Sequence, residues 1–215
     1  MTPEKGLSSE WHTGFDHVTV LLAHLRMAWL LKHLPPRLVW AVYVGINGFV
    51  TIGLLASLAL VTASPFVFPS LGPTAYLFFF SPLAEASSPR NTILGHAIGL
   101  ICGYGAFAVT ASSGLPFAAH GGVHFARVLA AALSLAATGT LMALFRVSHP
   151  PAGATTLIVA LGIISQPKEL VVIEIAVILL TAQAFVINRI AGIPYPLWSS
   201  HTPAGRTLAT KNTKQ

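Results

Sequence analysis

An all-α chain that crosses a membrane several times is what this sequence predicts, on three grounds. Only 8% of its 215 residues are charged, 54% are hydrophobic, and the mean hydropathy is +0.73; a soluble domain carries roughly 25% charged residues. Four apolar segments, at about 38–62, 92–112, 124–145 and 170–189, approach or exceed the roughly 18 residues that span a bilayer. Most basic residues lie outside or at the ends of these segments, including Lys5, Arg26, Lys32 and Arg37 at one end and Arg189, Arg206, Lys211 and Lys214 at the other. That placement follows the positive-inside rule and puts both termini in the cytoplasm. The net charge of +6 is therefore matched to a lipid bilayer and not to nucleic acid.

Residues 1–37 read as a cytoplasmic N-terminus. They open with Glu4 and Glu10, and the first apolar run, VTVLLAHLRMAWLL, is interrupted by His24 and Arg26, so they do not form a signal peptide. With Trp29, Lys32 and His33 the run predicts a helix lying in the membrane interface. Residues 38–190 form one transmembrane domain, and 191–215 a polar cytoplasmic tail. Cys102, the only cysteine, lies inside an apolar segment and excludes an intramolecular disulfide.

Between the long segments the backbone is punctuated. FPSLGPTAYLFFFSPLAEASSPRN follows the first, and RVSHPPAGATTLIVALG precedes the last. Each holds an apolar run of about a dozen residues behind a Pro/Gly-rich entry, too short for an ordinary spanning helix. The two are related. Pro69-x-x-Gly72-x-Thr74 matches Pro150-x-x-Gly153-x-Thr155, and SPRN at 88–91 aligns with QPKE at 166–169. The chain thus reads as two related halves, each long helix, broken short element, long helix. Pairing Pro89 with Pro167 sets His96 opposite Glu174. If the short elements cross, each half has three spans and the second half is inverted, with Arg90 and Arg146 inside and Arg127 and Lys168 outside. If they re-enter, the halves are parallel with two spans each. The charge bias favours six crossings.

Proline is tolerated in the first turn of a helix, where its missing N–H has no intrahelical partner. SHPPAGATT therefore reads as a helix start capped by Ser148 or His149, and FPSLGPTAY as one capped by Ser70. Helix N-termini inside the membrane leave backbone donors that require a partner, and with the helix dipole they make an anion site. Two such starts in corresponding halves point to a transport site near the midplane. The residues bet on are Ser70, Gly72, Thr74, Ser148, His149, Gly153, Thr155 and Thr156, with the Ser and Thr hydroxyls assisting. His149 and His96 tune charge or carry a proton; a helix-capping His149 is an equal alternative. Gly95, Gly99 and Gly103 predict a close helix-packing face, and that face suits a homo-oligomer. Glu174 either faces a polar partner or sits near the interface. Arg90 and Asn91 stand at a vestibule, although such arginines commonly snorkel to headgroups.

No enzyme constellation is present: there is no HExxH, no paired carboxylates and no nucleotide-binding glycine loop. No cofactor or metal is expected, since His120 and His124 flank a Gly-Gly loop.

The blocks FPSLGPTAYLFFFSPLAEASSPRNTILGHAIGL and SHPPAGATTLI together resemble the HPP family of integral membrane proteins, named for the His-Pro-Pro found here at 149–151. The resemblance covers about residues 38–190. It implies four transmembrane helices and, through relatives associated with nitrite transport, nitrite as the small inorganic anion. With no transit peptide recognised, a bacterial inner membrane is the expected home. The expected function is a channel or carrier for nitrite or a similar small monovalent anion; the alternative is a non-transporting membrane scaffold or sensor.

Overall fold

The computed structural model describes residues 26–110 and 124–200. The N-terminal start with Glu4 and Glu10, the first part of the interfacial run, the His120-Gly121-Gly122 loop and the tail from residue 201 lie outside the described residues. Among the described residues the chain is helical throughout: α1 (Met27–His33), α2 (Pro36–Thr62), α3 (Leu71–Phe80), a 3-10 turn (Glu85–Ser87), α4 (Pro89–Val109), α5 (Phe125–Leu144), α6 (Pro151–Ala160) and α7 (Pro167–Ile190). Helices α2, α4, α5 and α7 are long and apolar enough to cross a membrane. Three of them start two or three residues earlier than hydropathy suggests, because Pro36, Pro89 and Pro167 occupy the first turn ahead of the apolar run.

The two broken elements contain ten-residue helices, α3 and α6. At 1.5 Å per residue each covers about 15 Å, half a hydrocarbon core. The expected caps are corrected. The cap position of α6 is Pro150, with neither Ser148 nor His149 there, and Ser70 holds the cap position of α3 without a side-chain cap bond. The first-turn N–H groups of Ala152 and Gly153 go to the His149 and Pro150 carbonyls, so neither candidate side chain caps the helix.

The C-terminal ends of the short helices are satisfied internally, as low-dielectric surroundings demand. In α3 the Leu77 carbonyl accepts from the Ser81 N–H and the Ser87 hydroxyl, and the Phe78 carbonyl from Asn188 Nδ2 at 3.1 Å. Tyr43 O–H in turn donates to Asn188 Oδ1 at 2.9 Å. Helix α6 closes on Gly162, at φ +73°, with Gly162 N–H on Val159 O and Ile163 N–H on Ile158 O. A Cβ at Gly162 would collide with the Arg127 guanidinium, which lies at the negative end of α6.

These contacts also show which helix ends lie together. Arg90, at the start of α4, donates to the carbonyls of Phe145 and Arg146 just after α5, and its N–H to Trp198 O beyond α7. Met27 N–H bonds Ala191 O, bringing α1 to the same end. At the other end Arg127 of α5 meets Gly162, and Ala63–Pro65 line one cavity with Lys168 and Glu169. The chain therefore traverses the bundle between Thr62 and Pro89, and again between Leu144 and Pro167. It makes six passes, two of them by short helices flanked by turns and irregular segments.

Helix α4 packs against α5 and α6, while α7 packs against α4 and also against α2 and α3. The glycine face of α4 meets α6 directly. A Cβ at Gly95 would lie 2.8 Å from His149 Cβ, one at Gly99 2.8 Å from Ala152 O, and one at Gly103 2.7 Å from Thr156 O. This corrects the oligomer argument: the glycine face is consumed inside one chain and offers nothing to a second copy. Leu71, Phe78 and Phe79 of α3 join Ile173, Val177 and Leu180 of α7 in the apolar core.

Candidate functional site

The first turns of α3 and α6 run past each other in opposite directions. Ser70 Oγ lies 2.7 Å from Thr155 Oγ1, and Thr74 Oγ1 lies 3.3 Å from His149 Nε2. Into this crossing α4 inserts His96, and the two repeated motifs each deliver one threonine to its ring. Thr74 Oγ1 is 3.0 Å from Nε2, and Thr155 Oγ1 is 2.7 Å from Nδ1. His149 closes the cluster, its Nε2 3.2 Å from His96 Nε2 and the rings 4.9 Å apart. In the repeat register Phe68 corresponds to His149, and its ring stands edge-on to His96 from the other side at 6.4 Å. Ser70, Thr74, Thr92, His96, His149 and Thr155 are at most 1% exposed.

The hydrogen bonds admit one ordering. The Ala86 carbonyl can only accept, so His149 Nδ1–H donates to it at 2.7 Å. His149 Nε2 is then a lone pair, and His96 Nε2–H points at it and at Thr74 Oγ1. His96 Nδ1 accepts from the Thr155 hydroxyl, which accepts from Ser70, while Thr74 O–H donates to Ser70 O at 3.0 Å. Two neutral imidazoles thus share a single proton between their Nε2 atoms.

The backbone donors expected at α6 are not free. Pro150 and Pro151 have no N–H, and those of Ala152 and Gly153 donate to His149 O and Pro150 O. The donors gathered at the site are ring N–H groups and hydroxyls. Thr156 lies beside the cluster, its hydroxyl on Ala152 O and 2.9 Å from Thr138 Oγ1. Ser148 and Gly72 are exposed, and Gly153 packs beside Leu135; none of the three joins the ring contacts. Arg90 and Asn91 form a clamp at the helix ends, with Arg90 Nη1 on Asn91 Oδ1 at 3.0 Å and Asn91 Nδ2 on Glu85 O at 3.1 Å. Glu174 sits on α7 and bonds neither histidine, its carboxyl oxygens having no hydrogen-bond partner.

Sequence reasoning missed Thr92, 3.4 Å from His149 Nδ1, and the Ala86 carbonyl. Thr92 was signalled by its place one turn before His96, on the same helix face; nothing local marks Ala86. It also missed Thr138, and Arg127, which is 1% exposed and lies over the Phe107 ring at 5.4 Å. Among the described residues no group of three or more His, Cys, Asp or Glu comes together.

Six passes around a buried, uncharged polar cluster at two interrupted helices make this a polytopic α-helical membrane protein with its polar site inside the bundle. A family model described as the HPP transmembrane region matches residues 32–196, and the chain belongs to the HPP family. No curated protein and no solved structure matches it.

Proposed function

We propose that this protein carries a small monovalent anion, nitrite foremost, through the membrane, and that the His96–His149 pair binds the anion together with a proton. The observation that carries this reading is the 3.2 Å Nε2–Nε2 contact at the crossing of the two interrupted helices, with the Thr74, Thr92 and Thr155 hydroxyls and the Ala86 carbonyl around the pair. An anion entering a neutral buried site is costly. A second proton on the pair would place two N–H groups face to face, a repulsion relieved by a bent anion with two acceptor oxygens between them. Proton and anion together leave the loaded site neutral, which lowers its cost in a low-dielectric interior. The binding chemistry needs no bond-making step, so the protein acts as a carrier and not as an enzyme.

The two halves act as an inverted repeat about this crossing, supported by the opposite directions of α3 and α6 and by the exchange in which α4 packs on α5 and α6 while α7 packs on α2 and α3. Among the described residues Arg26, Lys32, Arg37, Arg90, Arg146 and Arg189 gather at the end bearing both described termini, and Arg127 and Lys168 at the other. The richer end is cytoplasmic by the positive-inside rule, and a bacterial inner membrane fits.

The test is uptake by liposomes containing the purified protein, with nitrite compared against nitrate, formate and chloride at two pH values and protein-free vesicles as control. Saturable, nitrite-selective uptake that grows on acidification is expected. No flux of any anion from folded protein would sink the proposal. A scaffold or sensor would then be the better account, since a fully bonded buried network also serves to specify one fold.

A further inference from the structure

The repeat register that pairs His96 with Glu174 does not bring Glu174 into the site. The same register sets Ile173, Val177 and Thr181 of α7 where α4 has Gly95, Gly99 and Gly103. These side chains are buried, and Ile173 and Val177 join the apolar core with Leu71, Phe78 and Phe79 of α3. Glu174 lines a cavity of about 610 Å³ between α4 and α7. Ala97, Ile101 and Tyr104 line one wall, and Val171, Ile175 and Ile178 the other. All of these but Ala97 are substantially exposed on the outside of the bundle, as lipid-facing residues are. Both Glu174 carboxyl oxygens are buried and neither has a hydrogen-bond partner.

From this geometry we infer that Glu174 is a proton-binding site at the membrane-facing α4–α7 groove, separate from the histidine pair and reached from the lipid side. A carboxylate with no counter-charge and no donor is strongly disfavoured there, so the resting group is the neutral acid. Tyr104 is the other titratable side chain lining the groove. On α7 itself Lys168 and Glu169 line a different cavity at the helix start. Arg189 and Asn188 lie at its far end, where Asn188 bonds Tyr43 of α2 and the Phe78 carbonyl of α3. The site has the chemistry of an acid that reacts with an apolar carbodiimide. The carboxyl proton passes to one carbodiimide nitrogen and the carboxyl oxygen bonds the central carbon. The acyl group then migrates from oxygen to nitrogen, giving a stable N-acylurea with nothing lost.

The experiment treats the full chain, in liposomes, with dicyclohexylcarbodiimide or with a water-soluble carbodiimide and maps adducts by peptide mass spectrometry. The apolar reagent is expected to label Glu174 roughly tenfold more than Glu85 or Glu169, and the water-soluble one to spare it. Glu174→Gln removes the adduct, and mapping on the wild type keeps the test valid if that variant folds poorly. Labelling of Glu174 by the water-soluble reagent to the same extent would overturn the inference, as would no labelling by either. Neither readout depends on anion flux, so this site and the carrier reading stand or fall separately.

Discussion

Thr155 holds two partners at once, the Ser70 hydroxyl and His96 Nδ1, both at 2.7 Å. Thr155→Val leaves both without their bond in a site that water does not reach, at a cost of about 1–3 kcal/mol for each buried group stranded. The expected result is a lower unfolding midpoint in detergent, largely restored by Thr155→Ser; an unchanged midpoint would show that the bonds contribute nothing. His149→Ala removes one of the two nitrogens that bracket the shared proton. If loading requires that proton, wild-type nitrite flux rises as pH falls between roughly 8 and 5, because protonation supplies the charge that meets the anion. The variant should transport less and lose the slope. Equal fluxes and equal slopes in the two proteins would remove His149 from the mechanism. The Tyr195 phenol, beyond α7, donates to the Ser87 carbonyl, and burial pushes it above the ordinary tyrosine range, so it remains a neutral donor.

Among the elements, α4 is the one whose position sets the site. Its glycines allow the backbone of α6 within contact, and that approach is what carries His96 to His149. Gly99→Ala would press a methyl to 2.8 Å from Ala152 O and 2.9 Å from Thr156 Oγ1. Overpacking of this kind costs about 1–3 kcal/mol, and here it also parts the ring pair, so both the unfolding midpoint and flux should fall. Gly105→Ala is the control, since nothing lies within 4 Å of its added Cβ. Equal behaviour of the two variants would mean that the α4–α6 approach is not tight. Much of this was legible in advance. The i, i+4 glycines predicted a packing face, and the prolines predicted where helices begin. The repeated Pro-x-x-Gly-x-Thr pattern singled out Thr74 and Thr155. Ser70 does hold the cap position of α3, but the α6 cap was misread because a Ser or His before a Pro-Pro pair resembles an ordinary cap, whereas Pro150 takes that position itself.

The whole molecule has six passes and a cationic end, and this has a direct test. Lys168 is exposed at the end shared with Ala63–Pro65, and Ser148 is exposed between α5 and α6, next to the Arg146–Arg90 contact at the other end. In intact cells an impermeant maleimide should label Lys168→Cys and spare Ser148→Cys, with the buried Cys102 silent. Labelling of both would mean that α6 doubles back and that the two halves are not opposed.

Hydropathy, proline placement and charge determined by themselves that the chain is a helical membrane protein with four long spans and two interrupted elements. Each of those signals is local, fixed by the chemistry of a residue and its near neighbours. The tertiary structure decided that His96 meets His149 across 53 positions, that the α6 backbone donors are already spent, and that Glu174 lines the α4–α7 groove with its carboxyl oxygens buried. Those outcomes depend on how closely one helix can approach another. Glycine in α4 sets that distance only once its partner α6 is in place.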